Sequence, residues 1–218
     1  MNSTIRQIKA SRSSGIHVER NHIHDGHFGL RFEHTHDFAA IGNVLERVRE
    51  DTMRVTGDSW NGVIRGNVFL DNRAAKPIHG DHLQIFGISG QDMAPHDLVI
   101  EQNLLHDNAN GKQVFHFKDG DRKRDQNWTA GNPGTPAPAQ GVFVGAGQKT
   151  GYRNVTIRRN LMRLSMMNAI FIASGKENYL IEENIIAPVP NFNIASIRLQ
   201  RDAKNKHWTN EGVLVTRN

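Results

Sequence analysis

The chain has 218 residues, 37% of them apolar, with 20 glycines, no cysteine and a formal net charge of +5. That length admits one sizeable core without forcing a second domain, and the apolar share with glycine added is ordinary for a globular chain, which excludes disorder throughout. The missing cysteines exclude disulfides and thiolate chemistry, no run approaches the roughly 18 apolar residues of a membrane span, and the opening Met1-Asn2-Ser3-Thr4-Ile5-Arg6 lacks the apolar centre of a secretory signal.

From Gly15 onward one phrase recurs. Gly15-Ile16-His17-Val18-Glu19-Arg20-Asn21-His22-Ile23 is two short apolar strands hinged at an asparagine, and Asn61-Gly62-Val63-Ile64-Arg65-Gly66-Asn67-Val68-Phe69-Leu70 repeats it most clearly. The hinge asparagines are Asn21, Asn43, Asn67, Asn103, Asn160, Asn184 and Asn218, spaced 22, 24, 36, 57, 24 and 34 residues apart. A basic period near 23 is thus lengthened by inserts. Between Asn43 and Asn67, Val44-Leu45 leaves the hinge, Met53 and Val55 face inward on a second strand, and Val63-Ile64 leads to the next hinge. Three strands and three turns in such a period make one triangular coil of a solenoid whose coils pair in parallel. Asparagine suits the bend because it tolerates left-handed backbone and bonds local backbone. Stacked at about 4.8 Å, equivalent amides can also bond one another as a ladder.

These repeats resemble the right-handed parallel β-helix of the pectate lyase superfamily, over nearly the whole chain from about Ser14 to Asn218. The resemblance implies an all-β, right-handed parallel β-helix solenoid of about six to seven coils of three short strands, as one domain over residues 1–218, with the asparagine ladder between its second and third sheets. The first sheet is then expected to collect Leu30–Glu33, Met53–Thr56, Leu83–Phe86, Val142–Val144, Ile170–Ile172 and Ser196–Leu199. The turns from third to first sheet lengthen at Asn72–Asp81 and at roughly 108–140, the latter charged and then rich in glycine and proline. Turns from first to second sheet widen at Ile88–His96 and Arg201–Glu211. Neither end carries a polar cap, so flanking coils, a partner chain or a homo-oligomer is expected to cover the apolar edges.

Outward residues of the first sheet stack in columns, one reading Arg31, Arg54, Gln84, Phe143, Phe171, Arg198, and the next including Glu33, Thr56 and Phe86. The resemblance implies a saccharide groove along this sheet, walled by the long turns. Two stacked arginines repel unless acids or an anionic ligand intervene; Glu33, Asp51 and Asp81 could balance them, and so could a uronate carboxylate. The densest polar cluster, Lys76-Pro77-Ile78-His79-Gly80-Asp81-His82-Leu83-Gln84, enters the same sheet. β-Elimination from a uronan needs donors on the carboxylate and a base at the neighbouring C–H. In that reading Arg54 with His79 or His82 is catalytic and Asp81 orients a histidine, while Arg31, Glu33, Gln84, Lys118, Phe143, Phe171 and Arg198 bind substrate. Epimerisation would use the same parts with a second proton donor. Resembling families use arginine or lysine as the base and often calcium held by acids, a pattern from which histidine departs. Glycoside hydrolysis fits less well, since only scattered aspartates are seen. The His79–His82 stretch also reads as a turn held by its own side chains.

His22, His24, His27, His34 and His36 match no zinc motif. The positive charge favours an anionic partner without identifying it, and the basic residues are dispersed among acids without a nucleic-acid motif; the anionic polysaccharide expected here, rather than nucleic acid or a membrane, is what the resemblance implies. An extracellular or virion-associated setting follows from that partner. The alternative is a non-catalytic carbohydrate-binding or structural module, such as part of a tailspike, adhesin or cell-surface solenoid.

Overall fold

The structure, a computed structural model, describes residues 5–75, 78, 80–88, 93–107, 139–147, 151–164, 168–173, 177–187, 196–200 and 212–218. The first coil is β1 (Ile8–Ser11), β2 (His17–Glu19) and β3 (His22–His24). The second is β4 (Leu30–Glu33), β5 (His36–Ile41) and β6 (Val44–Glu46), and the third β7 (Met53–Thr56), β8 (Trp60–Arg65) and β9 (Val68–Leu70). β10 (Asp81–Gly87), β11 (His96–Glu101) and β12 (Leu104–His106) follow, then β13 (Gln140–Gly147), β14 (Arg153–Arg158) and β15 (Leu161–Arg163). The chain continues through β16 (Ile170–Ile172), β17 (Glu177–Glu182) and β18 (Ile185–Ile186) to β19 (Ile197–Leu199) and β20 (Val213–Thr216).

Every third strand joins the same sheet. The first sheet runs β1-β4-β7-β10-β13-β16-β19, the second β2-β5-β8-β11-β14-β17-β20, and the third β18-β15-β12-β9-β6-β3, with all pairings parallel. The expected right-handed parallel β-helix is therefore the fold, and its first sheet begins one strand earlier than the repeat suggested, at Ile8.

The ladder is continuous. In each coil the hinge asparagine donates its backbone N–H and its Nδ2 to the Oδ1 of the next, as Asn67 does to Asn103 at 2.9 and 3.1 Å. Nδ2 also donates to a carbonyl of the preceding coil, from Asn103 to Ile64 O at 3.0 Å. The series runs from Asn21 to Asn218. The left-handed residue, however, is the one before each asparagine: Arg20, Gly42, Gly66, Gln102, Arg159, Glu183 and Arg217 have φ between 51° and 64°. That bend turns the following amide inward, so the asparagine is chosen for its two-way hydrogen bonding rather than for its backbone.

A second ladder lies outside the coil. Six residues before the hinges stand Asp37, Asn61, Asp97, Asn154 and Asn178, all left-handed, with Gly15 and Gly212 at the same offset. Asn61 Nδ2 donates to Asp37 and Asn154 Nδ2 to Asp97, both at 2.5 Å, and Asn178 to Asn154 at 2.7 Å. Between the ladders the core is a stack of Ile, Leu, Val and Phe side chains, including Ile23, Phe32, Leu45, Ile64, Phe69, Ile85 and Ile181. Gly62 is required by packing: a Cβ there would stand 2.2 Å from the Phe38 ring, which stacks on Phe32 at 4.3 Å. On the last coils Ile185, Leu214 and Val215 remain exposed.

Candidate functional site

The outward column of the first sheet is set by register alone. Lys9 pairs with Arg31, Arg31 with Arg54, Arg54 with Gln84, Gln84 with Phe143, Phe143 with Phe171 and Phe171 with Arg198. Lys9 was not foreseen, because the repeat is too degenerate before Ser14 to reveal β1. The parallel column holds Ser11, Glu33, Thr56 and Phe86.

Three cations on consecutive rungs are balanced from the side. Glu33 Oε2 lies 2.9 Å from Lys9 Nζ and 3.0 Å from Arg31 Nη2, and the hydrogen bond from Lys9, with Arg31 close by, holds its carboxyl below the usual range against partial burial. Arg54 donates from Nε to Asp51 Oδ2 at 2.6 Å and from Nη2 to Glu50 Oε1 at 2.7 Å. Its guanidinium also lies over the rings of Phe28 and Phe86, 4.6 and 5.3 Å from their centroids. At the other end Phe143 and Phe171 are 5.3 Å apart, and Arg198 lies over Phe171 at 4.6 Å.

Beneath this column runs a buried polar row. Asp81 stands one rung from Asp51, since its neighbour Leu83 pairs with Met53, and one rung from Gln140 on the other side. Asp81 N–H donates to Asp51 Oδ1 at 2.9 Å, Gln84 Nε2 to Asp81 Oδ2 at 3.0 Å, Gln140 Nε2 to Asp81 Oδ1 at 3.3 Å, and Asn168 Nδ2 to Gln140 Oε1 at 3.3 Å. Both aspartates are fully buried. Burial, with Asp81 so close, pushes the Asp51 carboxyl up to about 7 despite Arg54, and burial pushes Asp81 up to about 7 despite its amide donors. Aspartates that look scattered along the chain are thus neighbours in space.

His82 does not stand where a solvent-facing base would. It is fully buried, its Nε2 2.6 Å from Asp107 Oδ1 and its ring 6.4 Å from Phe69 of the core. The carboxylate that orients it is therefore Asp107 and not Asp81, whose oxygens are bonded by Gln84 and Gln140. Its Nδ1 is buried without a hydrogen-bond partner. His82 opens the coil that Asp107 closes, so the two meet at one corner although 25 residues apart. His79, Lys118 and most of the 108–140 insert lie outside the described residues.

The amino-terminal histidines are divided among separate acids: His22 with Glu46, His24 with Asp25, His27 with Glu50 and His36 with Asp37. Among the described residues no three His, Asp or Glu side chains are grouped to hold a metal ion.

Comparison with known proteins shows the family through one family model and finds one distant structural similarity. A family model described as "right handed beta helix region" matches residues 2–132. The catalytic domain of a GH87 alpha-1,3-glucanase, solved in complex with tetrasaccharides, is similar over 90% of this chain and 50% of that chain, at 10% identity and a TM-score of 0.24. This chain thus spans half the length of that structure. No curated protein matches it.

Proposed function

The chain belongs to the right-handed β-helix family, and from that footing we propose that it binds an anionic, uronate-containing polysaccharide along the outer face of its first sheet. The observation that carries this reading is the column Lys9, Arg31, Arg54, Gln84, Phe143, Phe171, Arg198, one residue per rung on seven consecutive strands. A rung of about 4.8 Å is close to the length of one sugar residue, so an extended glycan lying along the axis meets a new side chain at each step. Lys9 and Arg31 share the single carboxylate of Glu33, which leaves cationic capacity for a uronate. Phe171, part-exposed beside the buried Phe143, offers apolar contact to a ring face, while Gln84 is buried with its amide donated to Asp81 and so shapes the floor of the face rather than meeting a sugar.

A chemical step at the bound uronate is the finer reading, and the base it would turn on is His82, two residues from Gln84, whose Nδ1 is buried without a hydrogen-bond partner. In β-elimination a base removes the C5 proton, that electron pair becomes the C4–C5 double bond, and the C4 oxygen departs with a proton. Epimerisation returns a proton to the opposite face instead. The burial of His82 favours the second reading, a module that binds without turnover.

The test is co-sedimentation of the protein with alginate, polygalacturonate and glucuronan, beside a neutral glucan. Retention on the uronans, lost in Lys9→Ala/Arg31→Ala, is the expected result; equal retention on the neutral glucan would overturn the anionic reading. Appearance of ultraviolet-absorbing unsaturated ends, or altered uronate stereochemistry, would identify turnover, and their absence leaves the binding module.

A further inference from the structure

We infer that Asp51 and Asp81, stacked on consecutive rungs beneath Arg54 and Gln84, act as one proton-sharing positioning pair that sets how much of the Arg54 charge is available to an anionic glycan. This rests on the binding site proposed above and adds its regulation.

A carboxylate with no exposed surface is expensive, and two of them one rung apart, about 4.8 Å, repel strongly in a medium poorer than water. One proton held between them relieves both costs, which is the behaviour of paired acids in confined sites. The surroundings fit that state. Asp51 receives an N–H from Arg54 and one from the Asp81 backbone, whereas the Asp81 carboxyl receives neutral amides from Gln84 and Gln140. The carboxyls of both are raised to about 7 by burial, so the second proton leaves near neutrality.

Arg54 couples the pair to the surface. Its charge is answered by Glu50 and Asp51, and Glu50 is shared with His27. Counting Arg54, Glu50, Asp51 and Asp81 gives +1 − 3 = −2 with both aspartates ionised and +1 − 2 = −1 with one proton bound. Lowering pH through neutrality therefore removes a negative charge from directly beneath the cationic column, which weakens the repulsion an anionic glycan meets there and leaves more of the Arg54 charge for a uronate. The other titratable groups facing this cluster are His27 at Glu50, and His82, which with Asp107 packs behind Asp81; Glu33 with Arg31 and Lys9 lies on the neighbouring rung.

The experiment measures binding of polygalacturonate to the whole protein at pH 5.5 and pH 8, with calorimetric proton uptake at pH 7 in two buffers of different ionisation enthalpy. Affinity is expected to rise about five- to tenfold from pH 8 to pH 5.5, the effect of one charge at this range, with proton uptake on binding. In Asp81→Asn both the proton uptake and the pH dependence of binding should be largely lost. Gln140→Glu, which adds a third acid to the row, should steepen it, so the idea does not hang on one variant. Binding that is tight but equally pH-dependent in wild type and Asp81→Asn overturns the proton-sharing pair and leaves the site standing. No binding at either pH overturns the site itself, and with it this regulation.

Discussion

The outer faces of the second and first sheets are built on the same rungs and handle charge in opposite ways. On the second, charges are answered along the axis, with Glu101 held between Arg65 and Arg158 at 2.5 and 2.7 Å, and at the bend just beyond it Arg159 meets Glu183 and Arg217 meets Glu182 and Glu183. On the first, like stacks upon like, with Lys9, Arg31 and Arg54 in one column and Asp51 and Asp81 in the row beneath. Alternating signs are what a parallel solenoid selects when only stability matters. Stacked like charges cost stability unless flanking acids or an anionic ligand answer them.

The largest effect sets the scale for both faces. Asn103→Ala strips the acceptor from two donors of Asn67 and the donor from Ile64 O and Asn160 Oδ1, all buried, and should lower unfolding free energy by about 3–5 kcal/mol in urea titration. A loss below about 1 kcal/mol would show that the ladder is decoration.

Removing an acid should then have opposite signs on the two faces. The raised carboxyls of Asp51 and Asp81 contribute stability that is fully present below about pH 4 and is lost as pH rises through about 7. Asp81→Asn should therefore gain about 1–2 kcal/mol at pH 8 and little at pH 4.5, flattening the pH profile of thermal unfolding. Glu101→Gln should instead lose about 1 kcal/mol at pH 7, a modest figure because both guanidiniums are partly solvated. If both substitutions move stability the same way, the contrast between the faces is wrong. The smallest effect belongs to Asn154→Gly in the outer ladder: its φ of 52° suits glycine and its amide is exposed, so the change should stay within about 0.5 kcal/mol.

The fold was legible because an asparagine at each hinge marks phase, and phase gives register. The columns of Arg31, Arg54 and Gln84 follow from it without any knowledge of contacts. The outer ladder escaped notice, although its offset of six is constant, because its positions are shared among Asp, Asn and Gly, which no single residue type flags. Asp51 and Asp81 were on adjacent rungs by the same register, but a sequence does not report burial, so they read as counterions rather than as a pair. His82 with Asp107 was hidden for a different reason: that contact closes a coil at the corner where inserts of arbitrary length leave, and there the phase is lost.

The constant six-residue step between the two ladders makes each coil a cassette with standard connectors. Deleting residues 43–66 would join Gly42 to Asn67, keep both series in step and shorten the molecule by one storey. Copy number is thus an adjustable property of such a chain, and the length of its first sheet can change by whole rungs without any new packing having to be invented.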